Sequence, residues 1–293
     1  MVLDIETIAV IIRITSGASI ALYIVLLSLL CFKLKLQFMS KAFNIQFLLS
    51  NLIYSFSTVL PDVSTNTFLC KGQSMLTVFS ELTTIGIGTS IVIIGQLSLA
   101  PNNKLNEMKG KIFTVSFIQS WLIPIIFGFV AFAFTEVKAD QAKTDSKLCW
   151  ITDDYCTMVF IALRMVYFIV FFYYLYKMLK ELKKLKINLN LGDLYNEYLS
   201  SIKKCALGMT MLLIIFLSYS TANLIRIFSI DKALINHWVF LTIVIGDVFV
   251  HPIVVLLFII NKEKLNQIKT LCHKNKEYIS IETVTNSDDS LID

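Results

Sequence analysis

Four ionisable residues fall inside long apolar runs of this chain: Glu81, Arg164, Arg226 and Asp247. A charge at the centre of a bilayer costs about 2.5–3.5 kcal/mol on insertion scales, so such residues are paired or put to use. Glu81 lies eleven residues beyond Cys70, roughly 16 Å along a helix, and Arg164 and Asp247 lie roughly 12–15 Å below the outer ends of their runs. These three share a depth, whereas Arg226 sits near the outer end of its run, close enough to the headgroups to snorkel or to line an entrance. Two chemistries suit the set. The residues can converge as a polar cluster that binds a ligand in an apolar cavity. Alternatively, Glu81 and Arg164 neutralise each other as an interhelical bridge while Asp247 is held by hydroxyls. The two are compatible, because a pair joining two helices can be the lock that a ligand opens. Two arginines against two carboxylates leave the cluster near neutral, whereas a phosphate diester would call for a surplus of arginine forks.

Other chemistries find little support. The histidines, His237, His251 and His273, are too scattered to suggest a metal set or a nucleophile–base pair, so neither an enzyme nor a metal site is expected, and no cofactor is required. His251 precedes Pro252 and is read first as a packing and kink feature, with a switch role as the lesser reading. The run Trp238–Ile260 contains no Lys for a retinal Schiff base.

The elements that must position these residues are membrane helices. The chain of 293 residues is 56% hydrophobic and only 16% charged, with a mean hydropathy of +0.71, against roughly 25% charged residues in soluble domains. Its apolar residues fall in blocks of about 20, the length a helix needs to cross hydrocarbon. The blocks span about 8–32, 42–61, 72–99, 112–135, 156–177, 205–228 and 238–260, and internal satisfaction of every peptide group makes helices of them. The expected fold is an all-α membrane protein, a seven-transmembrane helix bundle occupying 1–262. A short amphipathic interfacial helix follows at 262–276 and a disordered acidic cytoplasmic tail at 277–293.

Eighteen of the 26 basic residues lie in the loops on one side and in the carboxyl-terminal tail. The positive-inside rule therefore puts the carboxyl terminus in the cytoplasm and the amino terminus outside, in a multi-pass protein of the plasma membrane. The net charge of +5 belongs to this inner surface rather than to a nucleic-acid footprint. On the outer, oxidising side lie Cys70, Cys149 and Cys156, and a bridge from Cys70 would pin the loop between spans four and five over the bundle. Cys70–Cys149 is preferred to Cys70–Cys156, because Cys156 already enters span five.

Seven spans with this topology resemble a G-protein-coupled receptor, as do a Cys at the top of the third span, a partner Cys before the fifth and a lysine-rich third inner loop. More narrowly, Cys70-Lys71-Gly72-Gln73, and Cys149-Trp150-Ile151 followed by Arg164, are similar to the corresponding stretches of the cyclic-AMP-receptor-like family of slime moulds. The fifth span lacks that family's Gly-Pro, and the seventh has Gly246-Asp247 and His251-Pro252 where an Asn would stand. Span three lacks Asp-Arg-Tyr and span seven lacks Asn-Pro-x-x-Tyr, which sets the chain apart from rhodopsin-like receptors. The resemblance implies a central cavity open to the outside. Glu81, Arg164, Arg226, Asp247 and Trp150 would line it, facing an extracellular ligand of unknown identity.

It also implies coupling to a heterotrimeric G protein at the inner face. Lys177, Lys180, Lys183 and Lys184, on an amphipathic continuation of span five through Lys186, and Lys203 and Lys204 before span six are the candidate contacts. The same lysines serve equally well as a flank drawn to anionic membrane lipids. Cys272, beside the interfacial helix, is a weak candidate for acylation. The competing class is a seven-span transporter or channel using Glu81, Arg164 and Asp247 as a solute or ion site. It would be expected to show an internal repeat, and none is evident.

Overall fold

The computed structural model of the chain describes residues 5–33, 38–60, 67–99, 111–112, 114–135, 154–189, 192–228, 246 and 248–257. They are helical almost throughout. We number the helices α1 (Ile5–Ser28, prolonged by a π turn over Leu29–Lys33), α2 (Phe38–Val59), α3 (Thr67–Leu99), α4 (Thr114–Phe134), α5 (Asp154–Leu189), α6 (Gly192–Phe228) and α7 (Val248–Leu257). Among the described residues, α1, α3, α4 and α5 contain stretches long and apolar enough to cross a membrane. Large apolar side chains such as Ile14, Phe117, Phe129, Val166 and Ile169 point outward from them. In water that surface would have to be covered, whereas in lipid it faces acyl chains. The protein is membrane-embedded.

α3 is the centre. Of its apolar stretch 72% is buried inside the protein, against 22–33% for α1, α4 and α5, and it packs on α2, α4 and α5 with a lighter contact to α6. α1 lies on α2, and α5 pairs with α6. The sequence explains the central position. Along α3, Ser80, Thr83, Thr84, Thr89 and Ser90 are buried beside Val78, Leu82, Ile85 and Ile87. Small hydroxyl residues let helices approach closely and bond across the gap. Ser57 and Ser50 of α2 meet Thr77 and Thr84 of α3, each at 3.0 Å, and Ser16 of α1 meets Thr58 of α2 at 2.8 Å. Ser90 meets Ser120 of α4 at 3.1 Å, while Thr135, closing α4, donates to Ser74 at 2.9 Å.

These pairs also give direction. A step forward along α3 is matched by a step back along α2 and along α4, so α2, α3 and α4 alternate. Glu81 pairs with Arg164, and fourteen residues later Gly95 faces Met178, fourteen beyond Arg164, so α5 runs parallel to α3.

α4 is not a plain α-helix. Residues Ile118–Leu122 form a π turn, in which the Ile123 N–H reaches back to the Ile118 carbonyl. Pro124, at the start of the α-helical part, has no N–H to offer the carbonyl of Gln119 in this register. The Tyr167 hydroxyl of α5 donates to that carbonyl at 2.5 Å, so a neighbouring helix supplies the bond the backbone lacks.

Two helices extend beyond the expected apolar spans. α3 begins at Thr67 rather than near 72, and α6 begins at Gly192 rather than 205. The lysine-rich connection expected as a loop is therefore largely helical, α5 and α6 being separated by two residues. Met178 and Leu182 of α5 and Ile202 of α6 all belong to the buried core of the bundle. α2, at 22 residues, is less apolar than the four spanning helices, because Asn44, Gln46, Asn51 and several Ser and Thr interrupt it. Span seven is described only at 246 and 248–257; the interfacial helix 262–276 and the tail 277–293 lie outside the described residues.

Candidate functional site

Glu81 sits mid-way along α3 and Arg164 a little under three turns into α5, and the two form an ion pair. Both are almost fully buried, at 4% and 5% exposure. Parallel packing of α3 and α5 brings the two depths into coincidence. The guanidinium also lies against two phenyl rings: Phe160, one turn earlier on α5, at 4.5 Å from the ring centroid, and Phe216 of α6, at 4.9 Å. Phe168 of α5 stacks on Phe216 with centroids 5.7 Å apart. One cation thus joins three helices, through charge to α3 and through aromatic faces to α6. Such a pair, desolvated in an apolar bundle, is costly to form and costlier to break on one side only, because the residue left behind is an uncompensated buried charge.

A second polar cluster lies between α2 and α7. Asn51 donates through Nδ2 to the Phe47 carbonyl at 2.7 Å, which turns its Oδ1 toward His251 Nδ1 at 2.7 Å. With an acceptor opposite it, Nδ1 of His251 carries a proton and donates. The His251 ring also stacks on Tyr54, with centroids 4.1 Å apart and planes 15° from parallel. The expected packing role of His251 is thereby given a specific partner set.

Of the residues singled out in the sequence, the structure unites Glu81 with Arg164. Arg226 is on α6, its side chain outside the described residues, and Asp247, Trp150, Cys149 and Cys272 lie outside them altogether. Cys70 is buried at the start of α3, and Cys156 is half-buried near the start of α5. On the α5–α6 hairpin Lys180, Lys183, Lys184 and Lys203 are exposed, and Lys204 is half-buried. Lys184 pairs with Glu181 at 2.8 Å. Lys177 lays its ammonium over the Tyr173 ring, 4.5 Å from the centroid. Sequence reasoning missed Phe160, Phe216, Asn51 and Tyr54. For Asn51 a signal existed, an amide in the middle of an apolar run; the phenylalanines, apolar among apolar neighbours, gave none. Among the described residues no group of three or more His, Cys, Asp or Glu is placed to hold a metal ion.

No family model and no curated protein matches this chain. The functional reading therefore rests on the site itself.

Proposed function

We propose that this protein is a seven-helix receptor of the plasma membrane. It would bind an extracellular ligand between its outer helix ends and engage a heterotrimeric G protein at its inner face. The observation that carries the reading is the buried Glu81–Arg164 pair, whose cation is also held by Phe216 of α6. A pair of this kind stabilises one packing of α3, α5 and α6. Any ligand that competes for either charge shifts the population toward another packing. The reading also takes Arg226, Asp247 and Trp150 as candidate ligand contacts, as expected from the sequence. The alternating directions of α2, α3 and α4, with α5 parallel to α3, support the proposed topology. In it, α2, α6 and a helix around α7 are the remaining crossings, the amino terminus is outside and the carboxyl terminus is cytoplasmic.

The α5–α6 hairpin supports the inner assignment. From Tyr155 to Tyr176, both exposed, is about 31 Å at 1.5 Å per residue, close to the roughly 30 Å of hydrocarbon between interfacial aromatic belts. Beyond Tyr176, α5 carries on to Leu189 with Lys180, Lys183 and Lys184 exposed, and in the proposed topology these lie on the inner side. With Lys203 and Lys204 they form the proposed G-protein surface. At the outer end, the buried Cys70 bonded to Cys149 would tie the loop before α5 to the top of α3.

The test is guanine-nucleotide exchange on a panel of G proteins in membranes carrying the chain. Exchange above that of empty membranes is the expected result. No exchange on any member, together with solute flux in reconstituted vesicles, would replace the receptor reading with a transporter.

A further inference from the structure

Around the Arg164 guanidinium the chain has assembled a carboxylate and two aromatic faces: Glu81 from α3, Phe160 from α5 and Phe216 from α6. That combination is a recognition site for an organic cation. The carboxylate supplies charge, and the rings supply a surface that attracts a cation through their quadrupoles without forming hydrogen bonds. Both rings are buried, and Phe168 backs Phe216 from the side, so the box is a packed feature of the bundle. One turn along α6 from Phe216, on the same face, the Ser220 hydroxyl is buried without a hydrogen-bond partner among the described residues.

We infer that this box is a binding site for a small organic cation, a guanidinium or protonated amine, and that Arg164 is its resident intramolecular occupant. The inference rests on the reading of the pair as a ligand-responsive lock and names the ligand class. A ligand cation takes the place of Arg164 as the counter-ion of Glu81, and Ser220 offers a hydrogen bond to its substituent. Two features of the site argue against an anionic ligand. Glu81 stands on the central helix, while the rings that attract a cation lie on α5 and α6, so an anion arriving at Arg164 would have to displace a carboxylate fixed in the core of the bundle.

The experiment is chemical rescue of the full-length chain in lipid nanodiscs, read as thermal unfolding. Arg164→Ala empties the box and lowers Tm. Millimolar methylguanidinium is expected to recover at least half of the loss, while its neutral isostere methylurea recovers none. In Arg164→Ala with Glu81→Gln the rescue disappears, and in Arg164→Ala with Phe216→Leu it weakens several-fold. If Arg164→Ala does not insert stably, Arg164→Gln titrated with methylammonium gives the same comparison. Absence of rescue, equal rescue by methylurea, or rescue unchanged by Phe216→Leu would overturn the inference, the last by reducing the box to a bare ion pair. Because no G protein enters the assay, its failure and a failure of the receptor reading are told apart.

Discussion

The Glu81–Arg164 pair shows how the bilayer changes the weight of one contact. On a protein surface such a pair contributes little, but in the bundle each partner neutralises a charge that would be costly to bury alone. Replacing Arg164 by Met leaves Glu81 buried and uncompensated, and we expect a loss of about 3–5 kcal/mol, measured by thermal or denaturant unfolding in nanodiscs. Exchanging both together, Glu81→Met with Arg164→Met, removes the charges as well as the bond and should cost markedly less than either single change. The depth of these two residues was legible in the sequence, since a charge in an apolar run declares itself. That they meet was one of two open readings, because spacing along the chain does not fix which helices are neighbours. His251 and Asn51 carry the same lesson at two hundred residues' separation: each is a polar residue at depth, and only the fold brings them to 2.7 Å. His251→Ala removes that bond and the Tyr54 stack, and a loss of about 1–3 kcal/mol in the same unfolding assay is expected from an Asn51 amide left unsatisfied.

Among the helices, closeness is set by small residues. A Cβ on Gly86 would lie 3.0 Å from the Gln119 carbonyl oxygen and 3.1 Å from the Ser120 Cα, both backbone atoms of α4, so the helix itself would have to move. A Cβ on Gly95 would meet only the Met178 sulfur, at 2.9 Å, the flexible part of a side chain that can swing aside. Gly86→Ala is therefore expected to destabilise by about 1–3 kcal/mol and Gly95→Ala by well under that, a ranking that unfolding of the two variants in one lipid would check. The π turn of α4 is equally specific. Tyr167→Phe strips the partner from the Gln119 carbonyl and should cost about 1–3 kcal/mol. Pro124 in mid-run was the visible sign that α4 would depart from regular geometry, but which residue would satisfy the freed carbonyl depended on α5. The early start of α6 is a gentler case. Its first turns are polar and lie outside the apolar block, so hydropathy gave no sign of them.

At the scale of the molecule, composition and block length established a membrane-embedded helical protein, and the described helices bear this out with four that can cross a bilayer. The central place of α3 could not be read from hydropathy, which is lower for α3 than for α1, α4 and α5; it follows from the run of Ser, Thr and Gly that lets α2, α4 and α5 approach. The proposed mechanism uses that architecture directly. α3 is the fixed pillar, held to α2 and α4 by hydroxyl pairs, whereas its contact with α6 is lighter and is bridged by Arg164 and Phe216. Loosening that link should free α6 and the lysine-bearing hairpin continuous with it while leaving the pillar intact. The most direct measurement is basal guanine-nucleotide exchange in membranes carrying equal amounts of inserted wild type, Glu81→Gln and Arg164→Met. The account predicts that at least one variant exchanges faster than wild type in the absence of ligand. Exchange no higher than wild type in both, with both correctly inserted, would contradict the claim that this pair holds the resting state.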